Sequence, residues 1–233
     1  MTREEYVTKL FSLYTLVTVL SEKNDGLVMR LRNKENGRDL VLRSFPKYLD
    51  AYETLCDVRC ENLPEIYESV ALEDGQIVLE QYIDGLTLAQ AMETGRYHYM
   101  GARKVMLGLC NALTVLHKRS LVHRDIKPEN VMLDKDGRVV LIDFNASRNF
   151  SQGGIDTVIL GTVGYAAPEQ LGLLPTDART HIYAAGVLLN VMLTGKHPSD
   201  RFASGWAGRI VRKCTALNPN DRYQTAKKLA QQL

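Results

Sequence analysis

The chain has 233 residues, 45% of them hydrophobic and 24% charged, and its 29 basic and 27 acidic residues leave a formal net charge of +2. Such a chain can build one large domain or two small lobes around a real core. With no long basic run, the balance argues against nucleic acid or an anionic membrane surface as partner.

The N-terminus carries Arg3, Glu4 and Glu5 and then an apolar stretch interrupted by Ser12, Thr15 and Thr18, which lacks the uninterrupted core of a signal peptide. Residues 14–45 hold three short runs rich in Val, Leu and Thr (YTLVTVL, LVMRLRN and DLVLRSF), separated by Asn24-Asp25-Gly26 and Asn36-Gly37. These predict a strand meander, with Asn36-Gly37 as a tight primed turn because both residues tolerate positive φ. Helical spacing follows over 48–60, then two strands, 66–70 and 77–82, on either side of Asp74-Gly75. The result is a five-stranded sheet with one helix.

A change in composition near 83–86 marks a boundary, beyond which the pattern is mainly helical. Helices are predicted over 86–93, 103–118, 182–193, 208–216 and 225–233, and a small hairpin over 131–142 turns at Lys135-Asp136-Gly137. The apolar run 182–193 is shorter than the ~18 residues a membrane-spanning helix needs and contains Asn190, so it reads as a buried helix. Cys56, Cys60, Cys110 and Cys214 show no paired CxxC spacing. Reduced thiols in a soluble, cytoplasmic protein are expected, with no metal on the cysteines.

The residues that bear chemistry lie in His123-Arg124-Asp125-Ile126-Lys127-Pro128-Glu129-Asn130, in Asp143-Phe144-Asn145 eighteen residues after Asp125, and in Ala167-Pro168-Glu169. Together they resemble the catalytic loop, metal-binding turn and activation-segment end of a eukaryotic-like (Hanks-type) serine/threonine protein kinase of bacterial appearance. The resemblance extends over roughly 12–233 and implies an α+β, bilobal fold. Residues 1–233 would form a single kinase domain, its sheet lobe at about 12–82 and its helical lobe at about 86–233.

The resemblance assigns roles residue by residue. Asp125 would orient the attacking hydroxyl and Lys127 would neutralise charge on the transferring phosphoryl group, while Asn130 and Asp143 would hold Mg2+. ATP would lie between the lobes, with its adenine against a linker that includes Glu80 and Tyr82. Leu79 would guard the back of the pocket, with Val28, Val41 and Met132 packing on the ring. Lys127, two residues after Asp125, implies a protein substrate with a Ser or Thr acceptor. Arg124 suggests a loop that phosphate could order, with Thr157 first and then Thr162 or Ser151 as autophosphorylation sites. Glu169 would pair with Arg222. Between Gly195 and Arg222 the chain is short for a kinase, leaving little room for the usual substrate-docking helix.

Several positions depart from the family pattern. Ser21-Glu22-Lys23-Asn24-Asp25-Gly26 stands in place of the glycine-rich loop and keeps only its last glycine, where bare backbone would approach phosphate. Arg43 stands where the strand lysine would be, with Glu53 its expected carboxylate partner and Glu61 the next candidate. Asn145 replaces a glycine, a change Asn tolerates because it visits left-handed conformations. His181 stands where the family has an aspartate that holds the catalytic-loop backbone. An active ATP-dependent serine/threonine kinase is the leading reading. The alternative is a pseudokinase, a binding or scaffold module with weak or no nucleotide binding.

Overall fold

The alternating apolar runs near the N-terminus form strands β1 (Tyr14–Lys23), β2 (Gly26–Asn33) and β3 (Asp39–Phe45), joined by β4 (Ile66–Leu72) and β5 (Gly75–Gln81). They make one antiparallel sheet in the order β1-β2-β3-β5-β4. The structure, a computed structural model, describes residues 1–149, 162, 164–171 and 175–233. Its chain divides into two units, Met1–Cys60 with Pro64–Ile83, and Glu61–Leu63 with Asp84–Leu233.

In the first unit the two-residue side-chain period separates the faces of the sheet. Met29, Leu31, Leu40, Leu42, Ile77 and Leu79 form a buried cluster on one face. Tyr6, Val7 and Leu10 of an additional helix, α1 (Arg3–Leu10), pack against it. Sequence periodicity did not indicate α1, yet its start carries a signal: Thr2 and Glu5 form a capping box that satisfies backbone donors at the helix start. On the other face Phe45 stacks on Tyr52 of α2 (Asp50–Leu55), with ring centroids 5.4 Å apart. That helix is shorter than the 48–60 expected. Gln76, fully buried, bonds both the N–H and the C=O of Leu49 and holds that residue extended, and the helix gives out at Cys56.

Two turns differ from expectation. Only Gly37 has positive φ (69°), and the loop closes through Asn33 N–H to Arg38 O and Gly37 N–H to Asn33 O. The connection is therefore longer than a two-residue primed turn. At the other hairpin, Lys23 pairs directly with Gly26, which leaves Asn24-Asp25 as the turn and puts Ser21, Glu22 and Lys23 in strand.

The second unit begins with β6 (Gly85–Thr87), which pairs with β8 (Val131–Asp134); β8 in turn pairs with β9 (Val139–Leu141). Because residues 85–87 are in a strand, α3 (Leu88–Glu93) starts later than expected, at a capping box of Thr87 and Gln90. The central helices are α4 (Tyr99–Lys118) and α5 (Ala178–Thr194), the latter capped by Asp177 and ended by left-handed Gly195. Then come α6 (Gly205–Cys214) and α7 (Ala226–Ala230). Short β7 (Leu121–Val122) and β10 (Arg148–Asn149) pair at either end of the motif-bearing segment. A Cβ at Gly186 would lie 2.3 Å from the Cys214 Cβ, so glycine is what lets α5 and α6 approach this closely. Among the described residues no helix is long and apolar enough to cross a membrane.

Candidate active site

The catalytic-loop residues are placed by short-range backbone pairing. Val131 pairs with Leu141, and the Ile142 N–H donates to the Asn130 carbonyl at 2.9 Å, which brings Asn130 and Asp143 onto adjoining positions of one hairpin. Asp143 itself is left-handed (φ 69°), as is Arg124 (φ 65°). The left-handed position is thus Asp143, and Asn145 is not in that region, so the tolerance expected of Asn145 is not called upon.

Asp125 is the centre of a hydrogen-bonded cluster. Its Oδ1 accepts from the Thr162 hydroxyl at 2.7 Å, and its Oδ2 accepts from Lys127 Nζ at 2.8 Å and from Asn130 Nδ2 at 3.0 Å. Lys127 Nζ also donates to Thr162 Oγ1 at 2.8 Å. Burial acts to raise the carboxyl pKa, but the bonds from Lys127 and Thr162 outweigh it and hold Asp125 below the usual carboxylate range. A carboxylate has about four acceptor sites, and three are occupied. Among the described residues one acceptor site is left over, on the Oδ1 side.

The hydroxyl of Thr162, one of the expected phosphorylation candidates, bridges Asp125 and Lys127. Sequence reasoning missed this role because the residue lies 37 positions from Asp125. Ser151 and Thr157 lie outside the described residues. Arg124 Nε donates to the Ala146 carbonyl at 2.8 Å, and Gln170, also missed, donates to the Arg124 carbonyl at 2.8 Å while accepting from the Ala167 N–H.

Beneath the loop lies a set of buried imidazoles. The His123 N–H donates to His181 Nε2 at 2.6 Å, so His181 does hold the catalytic-loop backbone, with a ring nitrogen as the acceptor. Since Nε2 accepts, the His181 proton is on Nδ1, and it donates to His117 Nε2 at 2.7 Å. Burial lowers the pKa of His117 to about 4 and that of His181 well below its ordinary value, so both rings are neutral near pH 7. His123, also buried, takes the Asp125 N–H on Nδ1, donates from Nε2 to the Ile142 carbonyl at 3.0 Å, and meets Phe144 edge-on.

Glu169 and Arg222 form the expected pair, bidentate at 2.6 and 2.9 Å and buried at both ends. All five guanidinium N–H groups are used, the others going to the carbonyls of Ala216, Arg179 and Leu217.

In the first unit, the sheet face that carries α2 also carries Val28, Val41, Arg43 and Glu80, since Val28 is paired with Arg43 and Val41 with Glu80. Two expectations are corrected here. Arg43 Nε donates to Glu80 Oε1 at 2.7 Å, with 8% and 3% of the two side chains exposed. Glu53 stands exposed on α2 and is bonded by the Tyr48 hydroxyl, so the carboxylate beside Arg43 comes from the neighbouring strand and not from the helix. Leu79, expected at the back of the pocket, is in the buried cluster on the α1 face. Strand alternation puts Glu80, its neighbour, on the Arg43 face. Tyr82 is half-buried with Arg30 over its ring at 4.1 Å, and Met132 is a half-buried residue of β8 in the second unit.

The donor set fits a hard divalent cation. Asn130 uses its amide nitrogen on Asp125 and so presents its oxygen, and the Asp143 carboxylate follows Ile142 on the paired strand. Mg2+ takes oxygen ligands from one or two protein groups and completes its shell with substrate phosphates and water.

The protein kinase domain model matches residues 26–233, and the chain belongs to the protein kinase domain family. It is 30% identical over 64% of its length to the serine/threonine-protein kinase PknB of Mycolicibacterium smegmatis, and 31% identical over 71% to the serine/threonine-protein kinase PrkC of Bacillus subtilis. To the testis-specific serine/threonine-protein kinase 2 of Mus musculus it is 33% identical over 72% of its length. The matched segments make up 28%, 30% and 48% of those proteins respectively, so the chain spans between about a quarter and half of the relatives' lengths.

Proposed function

We propose that residues 1–233 act as one ATP-dependent serine/threonine protein kinase domain, transferring the γ-phosphoryl group of Mg-ATP to a hydroxyl of a protein substrate in the cytoplasm. The observation that carries this reading is the Asp125 carboxylate, bonded by Lys127, Asn130 and Thr162 and keeping an acceptor site on Oδ1. A Ser or Thr hydroxyl of the substrate donates there and is oriented for attack, and the low pKa keeps Asp125 ionised to receive it. Lys127 then places its ammonium where the transferred group accumulates charge. Asn130 and Asp143 would hold magnesium, which when bound would neutralise charge on the phosphates.

In the first unit Arg43 supplies the cation for the remaining phosphates, with Glu80 holding the guanidinium in place, and Val28, Val41 and Tyr82 are that unit's residues for the base; in the second unit the corresponding residue is Met132. Glu53, exposed and engaged by Tyr48, has no part in holding Arg43 in this reading. The names of the relatives, all serine/threonine-protein kinases, support the acceptor class. Calorimetry with Mg-ATP, followed by γ-phosphate transfer to a generic protein acceptor, tests the reading. Magnesium-dependent binding and transfer that Asp125→Asn removes are expected. Absence of binding at millimolar nucleotide would overturn it in favour of a scaffold.

A further inference from the structure

A cavity of about 390 Å³ opens in the second unit between the start of α4, the end of α5 and the start of α6. Arg96 and Arg201 both line it, and so do the aromatic rings of Tyr99, Phe202 and Trp206. No carboxylate is among the lining residues, and among the described residues neither Arg96 nor Arg201 makes an ion pair or side-chain hydrogen bond. The polar tips of the aromatics are already engaged: Tyr99 Oη donates to the Leu233 carbonyl and Trp206 Nε1 to the Gln232 carbonyl, each at 2.9 Å. Trp206 is 55% and Phe202 37% exposed, the Phe202 ring having the Arg212 guanidinium 4.8 Å from its centroid, which adds a third cation beside the cavity.

The cavity wall is fixed in advance by a buried polar residue. Asn190, the amide inside the apolar run of α5, donates to the carbonyls of Lys196 and Arg201 and accepts from the Ala203 N–H, each at 2.8 Å. The same loop reaches the activation segment, where His197 Nε2 bonds the Gly164 carbonyl at 2.8 Å, two residues beyond Thr162. Cations without partners, exposed aromatics and a braced concave wall are the composition of an interaction hot spot.

We propose that this cavity docks an acidic, apolar-flanked segment of the protein substrate, its carboxylates on Arg96 and Arg201 and an aromatic or aliphatic side chain against Trp206 and Phe202. The short Gly195–Arg222 connection leaves the cavity uncovered by a further helix among the described residues, and the His197 contact joins it to the segment that serves Asp125. That the occupant is a substrate rests on the kinase reading; that it is an acidic, apolar segment does not.

Trp206 is the only tryptophan of the chain, so its emission reports on the cavity directly. The test titrates the whole chain with a short acetylated and amidated peptide that carries glutamates beside phenylalanine and leucine. A saturable change in emission is expected. Replacing the glutamates by glutamines, or making Arg96→Ala or Arg201→Ala, weakens binding by about tenfold, the size of one hot-spot contact.

Equal binding of the glutamine peptide, saturation by inorganic phosphate alone, or no saturable change would each overturn the proposal. The glutamine peptide tests it on the unaltered protein, so a misfolded variant cannot obscure the result. In a second arm the acidic segment is attached to a serine peptide substrate. Its KM is then expected to fall about tenfold in the unaltered chain and to stay put in the Arg96→Ala, Arg201→Ala double variant. An unchanged KM in an active chain overturns the substrate assignment, whereas a chain that binds the peptide yet transfers no phosphate overturns the kinase reading and leaves the docking site standing.

Discussion

Asp125 in the helical unit and Arg43 in the sheet unit are both withdrawn from water, and they are held in different ways. Asp125 receives three donors and keeps an acceptor site on Oδ1, so its surroundings stabilise its charge and leave it able to act. Arg43 is matched on the neighbouring strand by Glu80, buried to nearly the same degree. An ionic pair of that kind gains little net stability over apolar packing, but it is costly to break from one side. The comparison teaches that the helical unit gathers several donors around one charge, while the sheet unit sets its buried cation against a carboxylate of the adjoining strand.

The largest effects test the first half of that contrast. Asp125→Asn keeps the shape and loses the charge, and phosphoryl transfer should fall by about 10²–10⁴, the range of general acid–base contributions, with little change in Mg-ATP affinity by calorimetry. A comparable loss of nucleotide binding would mean that Asp125 serves the site mainly as structure. Next comes the Glu169–Arg222 pair, which is buried on both sides. Arg222→Ala leaves a buried carboxylate and should cost about 3–5 kcal/mol, seen as a large drop in the melting temperature of the helical unit.

Acid separates the units further. An imidazole whose folded pKa lies below its unfolded value binds its proton first in the unfolded chain, so stability is complete above that value and is lost as pH falls. For His117, lowered from 6.5 to about 4 chiefly by burial, the window runs between those two values and the loss is about 3 kcal/mol. The titrating imidazoles of this set, His117, His123 and His181, all belong to the helical unit. In the sheet unit, Asp39 is held down to about 2 by Arg32 and Arg30, so its contribution is present above its ordinary 3.8 and lost only below it. Melting followed by circular dichroism across pH 6.5 to 4 should therefore weaken the helical unit first; simultaneous loss would remove the distinction.

The two units also differ in how much of each was legible in the chain. The catalytic loop and Asp143 could be read because neighbours in sequence become neighbours across one short hairpin. The sheet elements were equally plain, but which residue faced the site was not. Leu79 and Glu80 are adjacent, and a one-residue change in register exchanges faces, so only the pairing Val41 with Glu80 settles the matter. Helix α1 escaped notice because its apolar stripe is just Tyr6, Val7 and Leu10, although the Thr2 to Glu5 capping box was there to be read. Thr162 and the His117–His181 contact depend on tertiary closure over 37 and 64 positions, and no local pattern encodes that.

The smallest effect bears most directly on the sheet unit. Glu80→Gln keeps an oxygen for Arg43 but removes the charge that fixes the guanidinium. If Glu80 positions Arg43 for the phosphates, KM for ATP should rise by about tenfold, one charge-assisted bond's worth, with kcat close to unchanged. A purely structural pair predicts a different pattern, a lower melting temperature with KM unaltered in the fraction that is folded. Restoring a lysine tests the same point from the other side. Arg43→Lys keeps the charge but gives up the planar fork that reaches Glu80, so it should weaken ATP binding in the original chain and do so far less when Glu80→Gln is already present. Additive effects of the two changes would mean that Arg43 and Glu80 act on nucleotide independently, and the sheet unit would then hold its phosphate cation in the same open manner as the helical unit holds Asp125.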